Sequence, residues 1–174
     1  MDEKRKKELL ALARKSLETA FDGPDCPVKE TDERYGAFVT LREHGELRGC
    51  IGYMVPIDYL ERQIRTLARE AAFDDPRFDS LRWEEVGKVR IEISLLTPME
   101  EISSLDEFVP GRDGIMLTLD GRRAVFLPQV ADETGWSKEE MLSALSVKAG
   151  LPRNAWKRPD AVFETFQAEV FSED

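Results

Sequence analysis

The stretch Tyr35-Gly36-Ala37-Phe38-Val39-Thr40-Leu41-Arg42 runs into Glu43-His44-Gly45-Glu46 and then Leu47-Arg48-Gly49-Cys50-Ile51-Gly52-Tyr53. Tyr35, Ala37, Val39 and Leu41 fall on one side of a strand and Phe38 and Thr40 on the other, a period of two that identifies a half-buried strand. Gly45 lets the chain turn with positive φ, and Leu47–Tyr53 returns as a second strand. Within that return, Gly49 and Gly52 bracket Cys50 and Ile51. Glycine inside a strand marks a bulge or a close approach of another group to the backbone. Arg48 precedes Cys50 by two residues, so a regular strand places both on one face. A fixed positive charge beside a thiol favours the thiolate, which makes Arg48 and Cys50 the first candidates for a reactive or anion-binding site.

Outward from the hairpin, the elements are mixed. On its N-terminal side, Leu9, Leu10, Ala13, Leu17, Ala20 and Phe21 recur at helical spacing over Asp2–Phe21, and Gly23-Pro24 stops the helix. On its C-terminal side, Ile57, Leu60, Ile64, Leu67 and Ala71 make an apolar stripe over Ile57–Phe73. Asp74-Asp75-Pro76-Arg77-Phe78 breaks that helix, because a residue before proline is pushed out of the α region. Arg77 and the aspartates read either as lining for a cleft or as a salt-bridged helix end. Trp83–Val86 is a short turn or helix. Val89, Ile91, Ile93 and Leu95 alternate with Arg90, Glu92 and Ser94, so Glu92 and Ser94 share the polar face of a strand. If this strand pairs with the Cys50 strand, they reach Cys50 or Arg48.

Further along, Ile102–Pro110 is a connector with room for one helical turn. Asp120-Gly121 marks a hairpin between Ile115–Leu119 and Arg123–Leu127. Ser137 and Glu140 form a capping box for a helix that Gly150 ends. Ala161–Phe171 reads as one closing strand with Phe166, Ala168 and Val170 on one face. Six or seven strands joined by hairpins, with three or four helices and no βαβ rhythm, give an α+β fold with mainly antiparallel pairing.

At 174 residues with 41% hydrophobic and 34% charged residues, one domain with a good core is expected. The formal net charge of -10 opposes a nucleic-acid surface, which needs a basic patch to neutralise phosphates. No apolar run has the length of a membrane span and the charged Met1–Arg5 lacks an apolar leader segment, so a cytoplasmic protein is expected. Cys26 and Cys50 read as free thiols. With one histidine, His44, placed at the hairpin tip, neither a zinc cluster nor a histidine base is expected, and no cofactor is called for.

Five motifs in order carry a family resemblance: Leu47-Arg48-Gly49-Cys50-Ile51-Gly52; Asp75-Pro76-Arg77-Phe78; Ile91-Glu92-Ile93-Ser94 with Thr97-Pro98; Leu127-Pro128-Gln129-Val130; and Lys148-Ala149-Gly150-Leu151-Pro152 with Trp156. Over about Gly36 to Phe171 the chain resembles the AMMECR domain family, also described as protein A of the AmmeMemoRadiSam system. The resemblance implies one AMMECR-type domain over residues 1–174, its larger lobe from the N- and C-terminal parts and its smaller lobe from the middle, with a cleft between. It also implies a Memo-like protein and a radical S-adenosylmethionine enzyme as partners, and it leaves the reaction unstated.

Two functional readings follow. In the first, Cys50 is a catalytic nucleophile assisted by Glu92, acting on a small molecule; Arg48, Gly49, Gly52, Arg77, Ser94 and Gln129 bind the substrate. In the second, the chain is a non-catalytic binding or adaptor module for those partners, holding a small anion or peptide end through Arg48 and Arg77. Lacking a cysteine cluster, it leaves any radical chemistry to the partner.

Overall fold

A computed structural model describes residues 1–174. The chain is α+β and divides into two compact units, one of Met1–Leu96 with Glu169–Asp174, the other of Thr97–Ala168. No helix is long and apolar enough to cross a membrane.

The first unit holds α1 (Glu3–Thr19), β1 (Gly36–Glu43), β2 (Glu46–Tyr53), α2 (Leu60–Phe73), the single-turn α3 (Trp83–Val86) and β3 (Val89–Leu96). Its sheet is completed by β8 (Ala168–Ser172), in the order β2-β1-β3-β8. β1 is central, antiparallel to β2 on one side and β3 on the other. Ala37, Val39 and Leu41 of β1 and Ile91 and Ile93 of β3 are fully buried with Leu9 and Leu17 of α1 and Ile64 and Leu67 of α2. Each of these valine, leucine and isoleucine side chains contributes about 1.5–3 kcal/mol relative to exposure.

The apolar stripe of α2 is as the spacing predicts, but its first turn is missing. Ile57 and Asp58 stay outside because the Gln63 side chain accepts both their backbone N–H groups, at 2.9 and 3.3 Å, and donates to the Tyr35 carbonyl at 2.8 Å. The hairpin tip turns on His44 (φ 53°) and Gly45 (φ 80°), both exposed.

The second unit holds β4 (Glu100–Ile102), β5 (Gly114–Leu119), β6 (Arg122–Phe126), α4 (Val130–Thr134), α5 (Lys138–Lys148) and β7 (Val162–Phe166). Two 3-10 turns, Leu105–Glu107 and Ala155–Lys157, complete it. The sheet order is β4-β7-β5-β6, all antiparallel. Phe108, Ile115, Leu117, Leu145 and Phe163 lie in its core. The predicted closing strand over 161–171 is two strands in two sheets. The change falls at Gln167, whose N–H donates to Thr97 Oγ1 at 2.8 Å and whose carbonyl accepts from Thr97 N at 2.9 Å. Phe166 therefore shares no face with Ala168 and Val170.

Candidate functional site

The side-chain arrangement around Cys50 is decided by one irregularity in the β1–β2 ladder. Thr40 faces Cys50 and Leu41 faces Gly49, yet Arg42 faces Leu47. Arg48 has no opposite number and forms a β-bulge. A ladder without the bulge would slip by one residue, set Cys50 opposite Val39 and turn the thiol into the core. The extra residue instead brings Cys50 to the face opposite the helices, beside Thr40.

The bulge also separates Arg48 from Cys50. Arg48 Nε and Nη2 donate to Glu85 at 2.8 and 3.2 Å, and Glu43 lies 4.0 Å from Nε. The bond to Glu85 holds the guanidinium charged, and the Arg48 hydrogen bonds in turn lower the Glu85 carboxyl to about 2. The expected effect of Arg48 on the thiol is therefore not what the geometry produces. The cation that acts on Cys50 is Arg77.

Across the sheet, Cys50, Thr40 and Glu92 form one row, because β1 lies between β2 and β3. Cys50 Sγ is 3.2 Å from Thr40 Oγ1. Glu92 is one strand further away and faces Arg42 Nε at 3.8 Å. The next row is Gly52, Phe38 and Ser94, with Ser94 buried. β2 and β3 do not pair, so Glu92 and Ser94 share the face of Cys50 without flanking it.

Asp75 closes the free edge of β2. Its Oδ2 accepts the Cys50 backbone N–H at 3.0 Å and Arg77 Nη2 at 2.8 Å; its Oδ1 accepts Arg77 N and Nε at 3.0 and 3.1 Å. The Arg77 bonds, joined by the Cys50 amide, hold this buried carboxyl well below the usual carboxylate range. Arg77 itself remains 56% exposed, a fixed cation facing solvent. Phe78 lies between the two arginines, 5.5 Å from the Arg77 guanidinium and 6.0 Å from that of Arg48.

Burial pushes the Cys50 thiol up; the Thr40 bond and the Arg77 charge oppose that only in part. The two glycines are explained by packing. A Cβ at Gly49 would stand 2.1 Å from the Ala71 carbonyl oxygen of α2, and one at Gly52 2.3 Å from the Phe38 ring. Gln129 belongs to the second unit, exposed at the start of α4 and without a side-chain capping bond. Thr40 and Glu85 are the residues that sequence reasoning missed. Thr40 was hidden by the bulge, since regular counting back from the turn pairs Cys50 with Val39.

The family model for AMMECR1 matches residues 10–171. The chain belongs to the AMMECR1 family. This AMMECR1 chain is 38% identical to a protein of Thermococcus gammatolerans, the match covering 95% of this chain and 89% of the relative. It is 38% identical to a protein of Aquifex aeolicus, over 96% of this chain and 92% of the relative. The crystal structure of an uncharacterized protein, PH0010, from Pyrococcus horikoshii is similar with a TM-score of 0.81 and 36% identity, covering 96% of this chain and 90% of that one.

Proposed function

We propose that this AMMECR1 chain is a binding or adaptor module whose recognition surface is the Arg77 guanidinium with the Cys50–Thr40–Glu92 face. The observation that carries this reading is the condition of Cys50. Nucleophilic catalysis by cysteine needs a thiolate and a base that can hold its proton. Burial raises the thiol, its bonded side-chain neighbour is a hydroxyl, and Glu92 faces Arg42. Arg77, in contrast, is held in place by a buried carboxylate while presenting its remaining N–H groups outward. Such a group suits a carboxylate, a peptide end or a small anion.

The resemblance to protein A of the AmmeMemoRadiSam system supplies the candidate partners, a Memo-like protein and a radical S-adenosylmethionine enzyme. In this reading the chain holds a small molecule or docks for them, and their chemistry is not its own.

The test is affinity for each purified partner, measured with wild type, Cys50→Ser and Arg77→Glu. Binding at micromolar strength that survives Cys50→Ser and drops about tenfold or more in Arg77→Glu supports the module. A raised thiol also predicts that Cys50 alkylates slowly at neutral pH, its rate rising only above the free-thiol value of about 8.5. Fast labelling at pH 7, together with loss of a coupled activity in Cys50→Ser, would restore the enzyme reading.

A further inference from the structure

The second unit carries a groove that the site above does not use. It is open, with a volume of about 540 Å³, and runs between Ile102–Leu105 on one side and the Trp156–Phe163 segment on the other. That volume lies in the range of small-molecule sites. Its apolar surface comes from Ile102, Leu105, Trp156 and Phe163. The indole is fixed from both ends of its residue. Trp156 N–H donates to Ser146 Oγ and Nε1–H to Ser143 Oγ, each at 3.2 Å. A ring locked in this way stacks a ligand at little entropic cost.

The charged rim restricts what can enter. Arg158 is consumed by Asp120, at 2.6 and 3.2 Å, and by Asp160, at 3.0 and 2.7 Å. The Ser103 hydroxyl is bonded to Glu107 and that of Ser104 accepts the Asp106 N–H. Lys157 alone among the charged lining groups pairs with no carboxylate; its Nζ stands 5.3 Å from the Trp156 ring centre. One locked aromatic and, over its ring, one cation without a carboxylate partner define a ligand with a flat apolar body and a single negative charge.

We propose that this groove is a ligand site for a small planar aromatic acid. Its ring lies against Trp156 and Phe163, and its carboxylate meets Lys157 Nζ. The site is separate from the Cys50 face and does not depend on its function.

The experiment follows the three tryptophan indole N–H signals in proton–nitrogen correlation spectra of the whole chain. The Trp156 signal is assigned by its loss in Trp156→Phe. Naphthalene carboxylate is the probe, with naphthalene carboxamide as its uncharged twin and inorganic phosphate as an anion without a ring. The acid should shift the Trp156 signal saturably and leave those of Trp83 and Trp136 in place. The amide, and the acid on Lys157→Glu, should each bind about tenfold more weakly, which corresponds to about 1.4 kcal/mol. Lys157 is exposed, and unmoved Trp83 and Trp136 signals will show that the variant is folded. Equal binding of acid and amide, no effect of Lys157→Glu, or phosphate competing as well as the acid would each overturn the proposal. So would a shift that responds to Arg153→Glu, alone or together with Lys157→Glu, since Trp156 and Lys157 also line a neighbouring hollow and Arg153 lines only that hollow.

Discussion

At the scale of single residues, Asp75 joins three things: the end of α2, the backbone of β2 and the Arg77 guanidinium. The Asp-Pro step showed that the chain must bend there, and a salt bridge between Arg77 and the aspartates was one of its two readings; what the motif could not show is the Cys50 amide, because it lies on a strand some twenty-five residues earlier. Its depressed folded-state value fixes the sign of a pH effect. The group contributes stability above its unfolded value of about 3.9, and that contribution is lost as pH falls towards the folded value. Asp75→Asn puts an amide among donors that need an acceptor. The variant should melt lower than wild type at pH 7, by an amount corresponding to about 2 kcal/mol, and the two melting curves should converge on acidification below about pH 5. Thermal melts across that range check it. Arg48 shows the opposite limit of legibility. Its charge and position were plain, but a bulge leaves no mark in the period-two pattern, so its true partner Glu85 was invisible.

At the scale of elements, what could be read was what local chemistry decides. The capping box of Ser137 and Glu140 opens α5 where the spacing puts it. Asp120-Gly121 makes the β5–β6 turn with positive φ at both residues. What was lost depends on distant partners. The start of α2 is displaced by one glutamine side chain, β4 is too polar and short to announce itself, and α4 is a single turn. β8 is the clearest case, an edge strand held in place by its neighbours. Arg14 Nε and Nη2 donate to Glu173 at 2.9 and 2.6 Å, and Ile91 N–H donates to Glu173 Oε2 at 3.0 Å. The Arg14 guanidinium also reaches the Val86 and Val89 carbonyls, each at 2.7 Å. Glu173→Ala should cost about 2 kcal/mol, seen as a lower urea midpoint, and should speed hydrogen exchange at Ile91 ahead of the β1 amides. An unchanged midpoint would mean that β8 is held by its backbone bonds alone.

At the scale of the whole molecule, the α+β class was legible because hairpin turns and the two periodicities agree along the chain. The division into two units was not readable from composition, since no proline- or glycine-rich linker marks Leu96 or Ala168. The second unit leaves and returns at one clasp, the paired Thr97 and Gln167, and carries its own buried cluster. A fragment of residues 97–168 should therefore fold by itself, with a cooperative thermal transition and a dispersed amide spectrum. A fragment without either would show that its core needs the rest of the chain. The same clasp has a consequence for biosynthesis. The first unit takes its fourth strand from residues made after the whole of 97–168. On the ribosome, β3 must wait with an open edge while a complete second unit is produced, so the part begun first is finished last.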